Sequence, residues 1–363
     1  MSEMGVIRAL CRPGFESDAG QELVSRAAEV GGYGFFVPEA PGWIRFELPG
    51  QAAGEVMQAL PLSDLVFVRD WYAGIGVVDP LPGEDRVGAV LEGLRDAAET
   101  GPFGRVDVHV PLGETEEALP RFARKWTSPL AKALRGAGIL HGNPEAEPGA
   151  PGLEILLPDF SRALLARRDP ALSSAFHEGV PRLRMPGTAP SRSTLKLEEA
   201  LHRFFTTDER ERLLRHGMTA VDLGAAPGGW TWQLVQRGLA VTAVDNGPMD
   251  EALMASGLVT HRTEDAFNWR PSHPVDWLVC DIVDRPGRVV ELMAEWLANR
   301  LCRMAVFNLK LPMKQRWACW QDYRARLEEI IAASGVDLTV RAAHLYHDRE
   351  EITCCVAPLT RSR

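Results

Sequence analysis

Apolar residues in the second half of the chain come in short runs, each closing on a glycine turn or on a charged residue. Val221-Asp-Leu, Val241-Thr-Ala-Val-Asp245, Val275-Asp-Trp-Leu-Val-Cys-Asp281 and Met304-Ala-Val-Phe-Asn-Leu-Lys310 are of this kind, and a further strand-like segment ends at Asp265. Short apolar runs, rich in β-branched residues and bounded by glycine or polar residues, predict buried strands. Between them, apolar positions recur at three- and four-residue spacing over roughly 229–238, 287–300 and 314–334, which predicts amphipathic helices. Strand alternating with helix predicts a parallel, doubly wound α/β sheet. Two last strand-like runs, 337–345 and 352–357, are separated only by Tyr346-His-Asp-Arg-Glu-Glu351. So short a connection cannot cross over the sheet, so the terminal pair is expected to be antiparallel.

Before residue 190 the pattern changes. Strand-like runs at 6–11, 42–48, 65–71, 106–110 and 153–157 alternate with helical ones near 16–30, 84–99 and 115–137, predicting small α+β units. The Gly/Pro/Glu stretch 142–152 reads as a surface loop. Pro181-Arg-Leu-Arg-Met-Pro-Gly-Thr-Ala-Pro190 is proline-rich and free of acids, and so is the expected boundary. The expected organisation is therefore 1–80, 81–180, a linker at 181–192, and a catalytic domain at 193–363. A chain of 363 residues can bury cores for two or three domains.

Charge argues against an indiscriminate nucleic-acid binder: 40 basic against 49 acidic side chains give a net charge of −9. The deficit lies mostly before residue 190, yet two acid-free basic stretches stand out. Arg121, Arg124, Lys125, Lys132 and Arg135 fall largely on one helical face; Arg182, Arg184, Arg192 and Lys196 form the second stretch. A solvated helix face would look the same, but phosphate binding would need such a pattern. Of the ten tryptophans, Trp71 (beside Tyr72) and Trp126 are the candidates for exposed stacking platforms; Trp277 and Trp296 read as core. No apolar run of about 18 residues is present to span a membrane. Six cysteines without C-x-x-C spacing, behind a start with no apolar signal core, point to reduced thiols and the cytoplasm.

The richest stretch is Val221-Asp-Leu-Gly-Ala-Ala-Pro-Gly-Gly-Trp230, a strand that stops in a glycine turn and runs into a helix. Dinucleotide folds want G-x-G-x-x-G, whereas here Gly224 is followed by three residues and a glycine pair, which disfavours a nicotinamide oxidoreductase. The turn resembles the D-x-G-x-x-P-G-G loop of S-adenosylmethionine methyltransferases that act on RNA ribose. That resemblance implies a cofactor site at Asp222, Gly224, Ala226, Pro227, Gly228, Gly229 and Trp230. It also implies that Asp245 accepts from the ribose hydroxyls of the cofactor and that Asp265 and Asp281 complete the site.

Lys196, Asp281, Lys310 and Glu351 match the Lys-Asp-Lys-Glu tetrad of FtsJ-like ribose 2′-O-methyltransferases. Each alone would read as a solvated charge; together, at strand ends behind that turn, they form a constellation. A ribose hydroxyl is too weak an acid to ionise at neutral pH, so its proton must be removed. A lysine can take it only if its pKa falls from about 10.4, through burial or a second cation. Lys310 is the candidate base, Lys196 the second cation or alkoxide stabiliser, and Asp281 and Glu351 the orienting acids. Glu350 and Glu351 are hard to separate, and Glu351 is favoured because it directly precedes the strand. Two look-alikes fail. Ser193-Thr-Leu-Lys196 has the S-x-x-K spacing but no S-D-N or K-T-G partner. Phe307-Asn-Leu-Lys-Leu-Pro312 carries a lysine where amino-directed methyltransferases carry N-P-P-[YF].

Longer strings extend the likeness. Pro190-Ser-Arg-Ser-Thr-Leu-Lys-Leu-Glu-Glu-Ala200, Val244-Asp-Asn-Gly-Pro-Met249, Leu345-Tyr-His-Asp-Arg-Glu-Glu351, Leu10-Cys-Arg-Pro-Gly-Phe-Glu16 and Arg124-Lys-Trp-Thr-Ser-Pro-Leu130 resemble the RlmM family. That family comprises bacterial 23S rRNA ribose methyltransferases that modify a cytidine of the peptidyl-transferase region. Ala226 stands where the family often has cysteine, and Ser193 joins the cofactor site by the same analogy. The resemblance implies a ferredoxin-like segment followed by a THUMP RNA-binding domain. It also implies 23S rRNA or a large-subunit precursor as partner, and no metal requirement. A catalytically silent S-adenosylmethionine-binding RNA protein is the alternative.

Overall fold

The computed structural model describes residues 3–99, 101–111, 117–142 and 149–358. These residues divide into two compact units, Met1–Val180 and Pro181–Arg363. Residues 143–148 of the expected surface loop, and the start of the helix expected from 115, lie outside the described residues.

The first unit runs β1 (Val6–Leu10), α1 (Glu16–Glu29), β2 (Phe35–Ala40), β3 (Trp43–Glu47), α2 (Ala53–Ala59), β4 (Asp70–Val78), α3 (Arg86–Asp96), β5 (Arg105–His109), α4 (Ala118–Gly136), β6 (Gly152–Asp159) and β7 (Arg162–Arg168). Its sheet has the order β2-β3-β1-β4-β7-β6-β5, with only β5 and β6 parallel. Strand β4 pairs with β1 on one side and β7 on the other, which makes a single sheet of the whole unit.

The strand expected at 65–71 is mostly a loop, and β4 begins only at Asp70. The reason is a carboxylate. Glu22, fully buried on α1, accepts the backbone N–H groups of Val66 (2.6 Å) and Phe67 (2.8 Å). A side chain thus satisfies backbone donors that a neighbouring strand would otherwise have to satisfy. Burial pushes Glu22 up to about 7 against those N–H groups, which favour the ionised form. Strand β2 escapes the pattern because it is an edge strand carrying Pro38, beside which the register shifts. The aromatic platforms are a correction: Trp71 and Tyr72 are 0% and 1% exposed and Trp126 is 7% exposed. Trp71 and Tyr72 lie on the central strand β4, and the Trp71 indole N–H donates to the Leu172 carbonyl at 2.7 Å. Trp126 belongs to the apolar stripe of α4, with Leu119, Ala123, Leu130 and Leu134.

At the end of β5, His109 is fully buried between two carboxylates, Glu154 (2.6 Å from Nε2) and Glu178 (3.0 Å from Nδ1). The rings of Tyr72 and His177 stack against it. Burial alone would lower its pKa. The hydrogen bonds and charges of Glu154 and Glu178 outweigh that and push it up to about 10.

The second unit runs α5 (Thr194–Phe204), α6 (Thr207–Leu213), β8 (Thr219–Leu223), α7 (Gly229–Val235), β9 (Ala240–Val244), α8 (Glu251–Met254), β10 (Val259–Arg262), β11 (Val275–Cys280), α9 (Pro286–Ala298), β12 (Cys302–Lys310), α10 (Arg316–Ala333), β13 (Thr339–Ala343) and β14 (Glu351–Ala357). The order is β10-β9-β8-β11-β12-β14-β13. Strands β10 to β12 are parallel, and the β12–β14 and β14–β13 pairs are antiparallel. This is the doubly wound sheet with a terminal antiparallel pair that the hydrophobic pattern predicts. Strands covered on both faces read as unbroken apolar runs, and Trp277, Leu278, Val279 and Cys280 are all 0% exposed. The chain reverses its winding between β8 and β11, where such sheets open a crevice at their carboxyl edge. Because β14 is antiparallel, its first residue, Glu351, pairs with the last of β12, Lys310, at that same edge.

Removing the buried imidazolium takes the closest partner from two carboxylates, leaving Glu154 with Arg105 at 3.7 Å and Glu178 with His177 at 4.0 Å. His109→Leu is expected to destabilise the first unit by about 3–5 kcal/mol in urea unfolding. The folded-state pKa lies above the ordinary value of 6.5, so the stabilisation is complete below that value and is lost as pH rises through about 10. The gap between wild type and variant should therefore shrink over that window. A gap that does not change with pH would contradict the charged assignment.

Candidate active site

The glycine turn between β8 and α7 is built around missing side chains. Gly228 has φ +118°, a conformation that side chains rarely adopt. A Cβ on Gly229 would lie 2.2 Å from Ser193 Oγ and 2.5 Å from Ser191 Oγ. The close approach lets the connector lie against the turn. There Ser191 and Ser193 bond each other at 2.6 Å, and Thr194 Oγ1 donates to the Gly229 carbonyl at 2.6 Å. Asp245, just past β9, accepts from Ala226 N (3.0 Å) and Gly247 N (2.7 Å). A carboxylate has about four lone-pair sites, so Asp245 retains capacity for ribose hydroxyls.

The other expected cofactor residues fall into two groups. Pro227 is exposed at the turn and Gly224 N donates to the Val244 carbonyl at 3.0 Å. Asp222 and Trp230 point inward instead. Asp222 accepts from Thr231 Oγ1 at 2.6 Å, tying α7 to β8; burial pushes it up to about 7, with Asp281 and Asp245 adding to the rise and Thr231 opposing it. Trp230 packs into the core, leaving only its backbone for the turn. Asp265 lies beyond the end of β10 rather than on it, exposed, with its carboxylate accepting from Phe267 N and Asn268 Nδ2.

The tetrad residues come together at the sheet edge. Lys196 Nζ, from α5, lies 2.6 Å from Glu351 Oε1 and 3.6 Å from Asp281 Oδ1. Burial works to lower the Lys196 pKa, but Asp281 and Glu351 outweigh it and hold the ammonium above the ordinary lysine range. Glu351, in the shorter contact, is held below the usual carboxylate range despite its burial. Asp281 is the opposite case: burial raises it more than Lys196 and Asn308 lower it. Lys310 pairs in register with Glu351 across β12–β14. Residues directly opposite project to the same face, so the Lys310 side chain leaves the sheet on the side where Glu351 meets Lys196. It is exposed and makes no hydrogen bond or ion pair among the described residues. The burial that the sequence reading invoked for this residue is therefore not supplied by the folded chain alone. Of the two adjacent glutamates, Glu351 meets Lys196, while Glu350 pairs with Arg316 at 2.6 Å.

Sequence reasoning missed a second layer. Asn308 Nδ2 donates to Asp281 Oδ1 at 2.7 Å. Glu199 accepts from Tyr346 N, His347 N and His347 Nδ1, fixing the loop that delivers Glu351. The available signal was period two: Asn308 precedes Lys310 by two residues and so shares its face. Among the described residues, His109, His177 and Glu178 are close enough to hold a cation. Both ring nitrogens of His109, however, already face carboxylates, Glu154 at Nε2 and Glu178 at Nδ1. The basic residues Arg121, Arg124, Lys125, Lys132, Arg135, Arg182, Arg184 and Arg192 are all exposed, and Arg121 pairs with Glu117.

The pattern of FtsJ-like methyltransferases matches residues 189–313, which include the turn, Lys196, Asp281 and Lys310. That of the RlmM ferredoxin-like domain matches residues 4–72, and that of the N-terminal region of ribosomal RNA large subunit methyltransferase M matches 85–166. A protein of that last name from Marinobacter nauticus is 49% identical over 98% of this chain and 100% of its own length. Its namesake from Thauera aminoaromatica is 43% identical over 94% and 93%, and that from Salmonella agona 42% over 98% and 97%. The chain belongs to the RlmM family. Like other RlmM proteins it has a catalytic unit of the FtsJ-like type, and its cofactor is S-adenosylmethionine. The glycine cradle and the spare acceptor sites of Asp245 fit that cofactor.

Gly229→Ala should therefore act on cofactor binding. Forcing a methyl group against Ser191 and Ser193 is expected to cost about 1–3 kcal/mol, weakening S-adenosylhomocysteine binding about tenfold by calorimetry. Unchanged affinity would show that the turn does not form the cofactor seat.

Proposed function

We propose that this RlmM family member transfers a methyl group from S-adenosylmethionine to the ribose 2′-hydroxyl of a cytidine in the peptidyl-transferase region of 23S rRNA, in the cytoplasm. The observation that carries the reading is the position of Lys196. It is locked between two acids, while Lys310 is left uncommitted on the same face. S-adenosylmethionine, when bound, supplies a sulfonium-activated methyl group for in-line displacement. Everything else falls to the protein, which must orient the hydroxyl and remove its proton. Lys196 is a poor base because its carboxylate neighbours stabilise its charge, and it serves as a fixed cation for the developing alkoxide. Lys310 takes the proton, and the docked nucleotide supplies the desolvation that the free side chain lacks. Asp281 and Glu351 offset the paired ammonium charges. Positive charge thus comes from side chains, and the scheme calls for no metal.

The first unit and the connector bring the rRNA. The five exposed cations of α4, together with Arg182, Arg184 and Arg192, are the proposed phosphate contacts, and the first unit carries the ferredoxin-like and THUMP-like functions. Exposed apolar side chains flank the tetrad in sequence: Val283 follows Asp281, Met313 follows Lys310, and Tyr346 precedes Glu351. They suit contact with an unstacked nucleoside. Binding should weaken steeply with salt as counterions are released.

The test incubates the protein with tritiated S-adenosylmethionine and unmodified large-subunit rRNA, then hydrolyses the RNA with alkali. A 2′-O-methyl group should leave labelled, alkali-resistant dinucleotides, whereas label in ordinary mononucleotides, carried on the base, would refute ribose chemistry. Lys310→Ala should lower the single-turnover rate by about 10²–10⁴-fold. Lys310→Arg should not restore it, because arginine retains its proton. An unaffected Lys310→Ala rate would remove this residue from the mechanism.

A further inference from the structure

Asn308 stands opposite Thr353 across the β12–β14 pair, two residues before Lys310, and is 4% exposed. Its Nδ2 donates to Asp281 Oδ1 at 2.7 Å, the same oxygen that lies 3.6 Å from Lys196 Nζ. Its Oδ1 accepts from Thr353 Oγ1 at 2.8 Å. The Thr353 hydroxyl also lies 3.2 and 3.0 Å from the two carboxyl oxygens of Asp348. One hydroxyl proton cannot serve three acceptors.

Hydrogen-bond polarity resolves the conflict. With Asp281 ionised, the Asn308 amide must turn its NH2 towards it, so its carbonyl faces Thr353 and takes the threonine proton. Thr353 can then meet Asp348 only as an acceptor, which requires Asp348 to be a carboxylic acid. Its surroundings agree: Asp348 is 1% exposed, and desolvation holds it well above the usual carboxylate range. Glu351 and Glu199 add to that rise, against the Leu345 N–H and the Lys196 charge. The result is a chain of donors running from Asp348 through Thr353 and Asn308 to Asp281.

We propose that Asn308 is a positioning residue that aims Asp281 at Lys196, and that Thr353 and a neutral Asp348 lock its amide in the working orientation. This rests on the ribose-methylation reading above. Asp281 receives opposing influences from Lys196 on α5, Glu351 on β14 and the buried Asp222 on β8. The Lys196 charge and the Asn308 donor together favour its ionised form against burial and Glu351. A hydrogen bond to a charged acceptor stabilises the ionised form, so losing it moves the titration of that acceptor upward.

The experiment follows single-turnover methylation of unmodified 23S rRNA against pH for wild type, Asn308→Ala, Thr353→Val, Thr353→Ser and Asp281→Asn. Asn308→Ala and Thr353→Val should each slow the reaction about tenfold or more and move the acid limb up by about one pH unit. S-adenosylhomocysteine affinity should stay within about twofold of wild type, because the Asn308 and Thr353 side chains hydrogen-bond neither the glycine turn nor Asp245. Thr353→Ser, which restores the hydroxyl, should recover the wild-type profile. Thr353→Val keeps the β-branched shape and carries the test if Asn308→Ala fails to fold. If Asp281→Asn is inactive while Thr353→Val and Asn308→Ala keep the wild-type rate and limb, the positioning role is overturned and the tetrad stands. If Asp281→Asn is itself fully active, the tetrad reading fails first and takes this proposal with it.

Discussion

One ammonium group holds the carboxyl edge of the second sheet together. Lys196 on α5 reaches Asp281 at the end of β11 and Glu351 at the start of β14, residues that would repel each other without it. The arrangement is lopsided, and the asymmetry has consequences. At 2.6 Å the cation suffices to hold Glu351 ionised against its burial, whereas at 3.6 Å it does not fully offset the desolvation of Asp281. Asp281 is therefore the softer of the two acids, and Asn308 stands next to it as a second donor. Breaking a buried ion pair costs far more than the pair contributes over an apolar substitute, so these charges are better explained by chemistry than by stability.

The same helix that carries Lys196 is anchored to the glycine turn. Gly229 admits Ser191 and Ser193, and Thr194 grips the Gly229 carbonyl from the first residue of α5. The glycine turn and the Lys196 ammonium are thus fixed to each other by a few short contacts within one segment. This coupling makes Lys196 a poorly mobile group, suited to stabilising charge in place rather than carrying a proton. Lys310, at a strand end with no partner among the described residues, has the freedom that Lys196 lacks. An acidic chain with a net charge of −9 is no obstacle to an RNA substrate if its cations are locally arranged, since phosphates respond to charge within about 10 Å at ordinary salt.

The second unit was largely legible in the sequence because its strands are buried on both faces. Runs such as 275–281 and 304–310 can hardly be anything else, and their terminal acids and lysine mark the carboxyl edge. The first unit was less legible. Its apolar loop at 65–69 imitates a strand because the burial is real, but the backbone partner is a glutamate 44 positions away in sequence. Edge strand β2 is disguised by Pro38 and by a half-exposed pattern, and β7 by arginines at both ends. The expected aromatic platforms are core for a related reason: Trp71 and Tyr72 lie on the central strand β4 and Trp126 on the apolar stripe of α4, and such burial is a tertiary property that local composition does not reveal. Within the site, the charged residues stood out in the sequence, while Asn308, Thr353 and Asp348 did not, because their function depends on cross-strand register.

The central claim is that Lys196, Asp281 and Glu351 act as one unit. Its most direct test is a double-mutant cycle on the methyl-transfer step with Lys196→Met, Glu351→Gln and the pair combined, alongside cofactor affinity for each. The account predicts that the double variant is no slower than the worse single one, with S-adenosylhomocysteine binding preserved throughout. Losses that simply add, or single variants that transfer the methyl group at the wild-type rate, would contradict it.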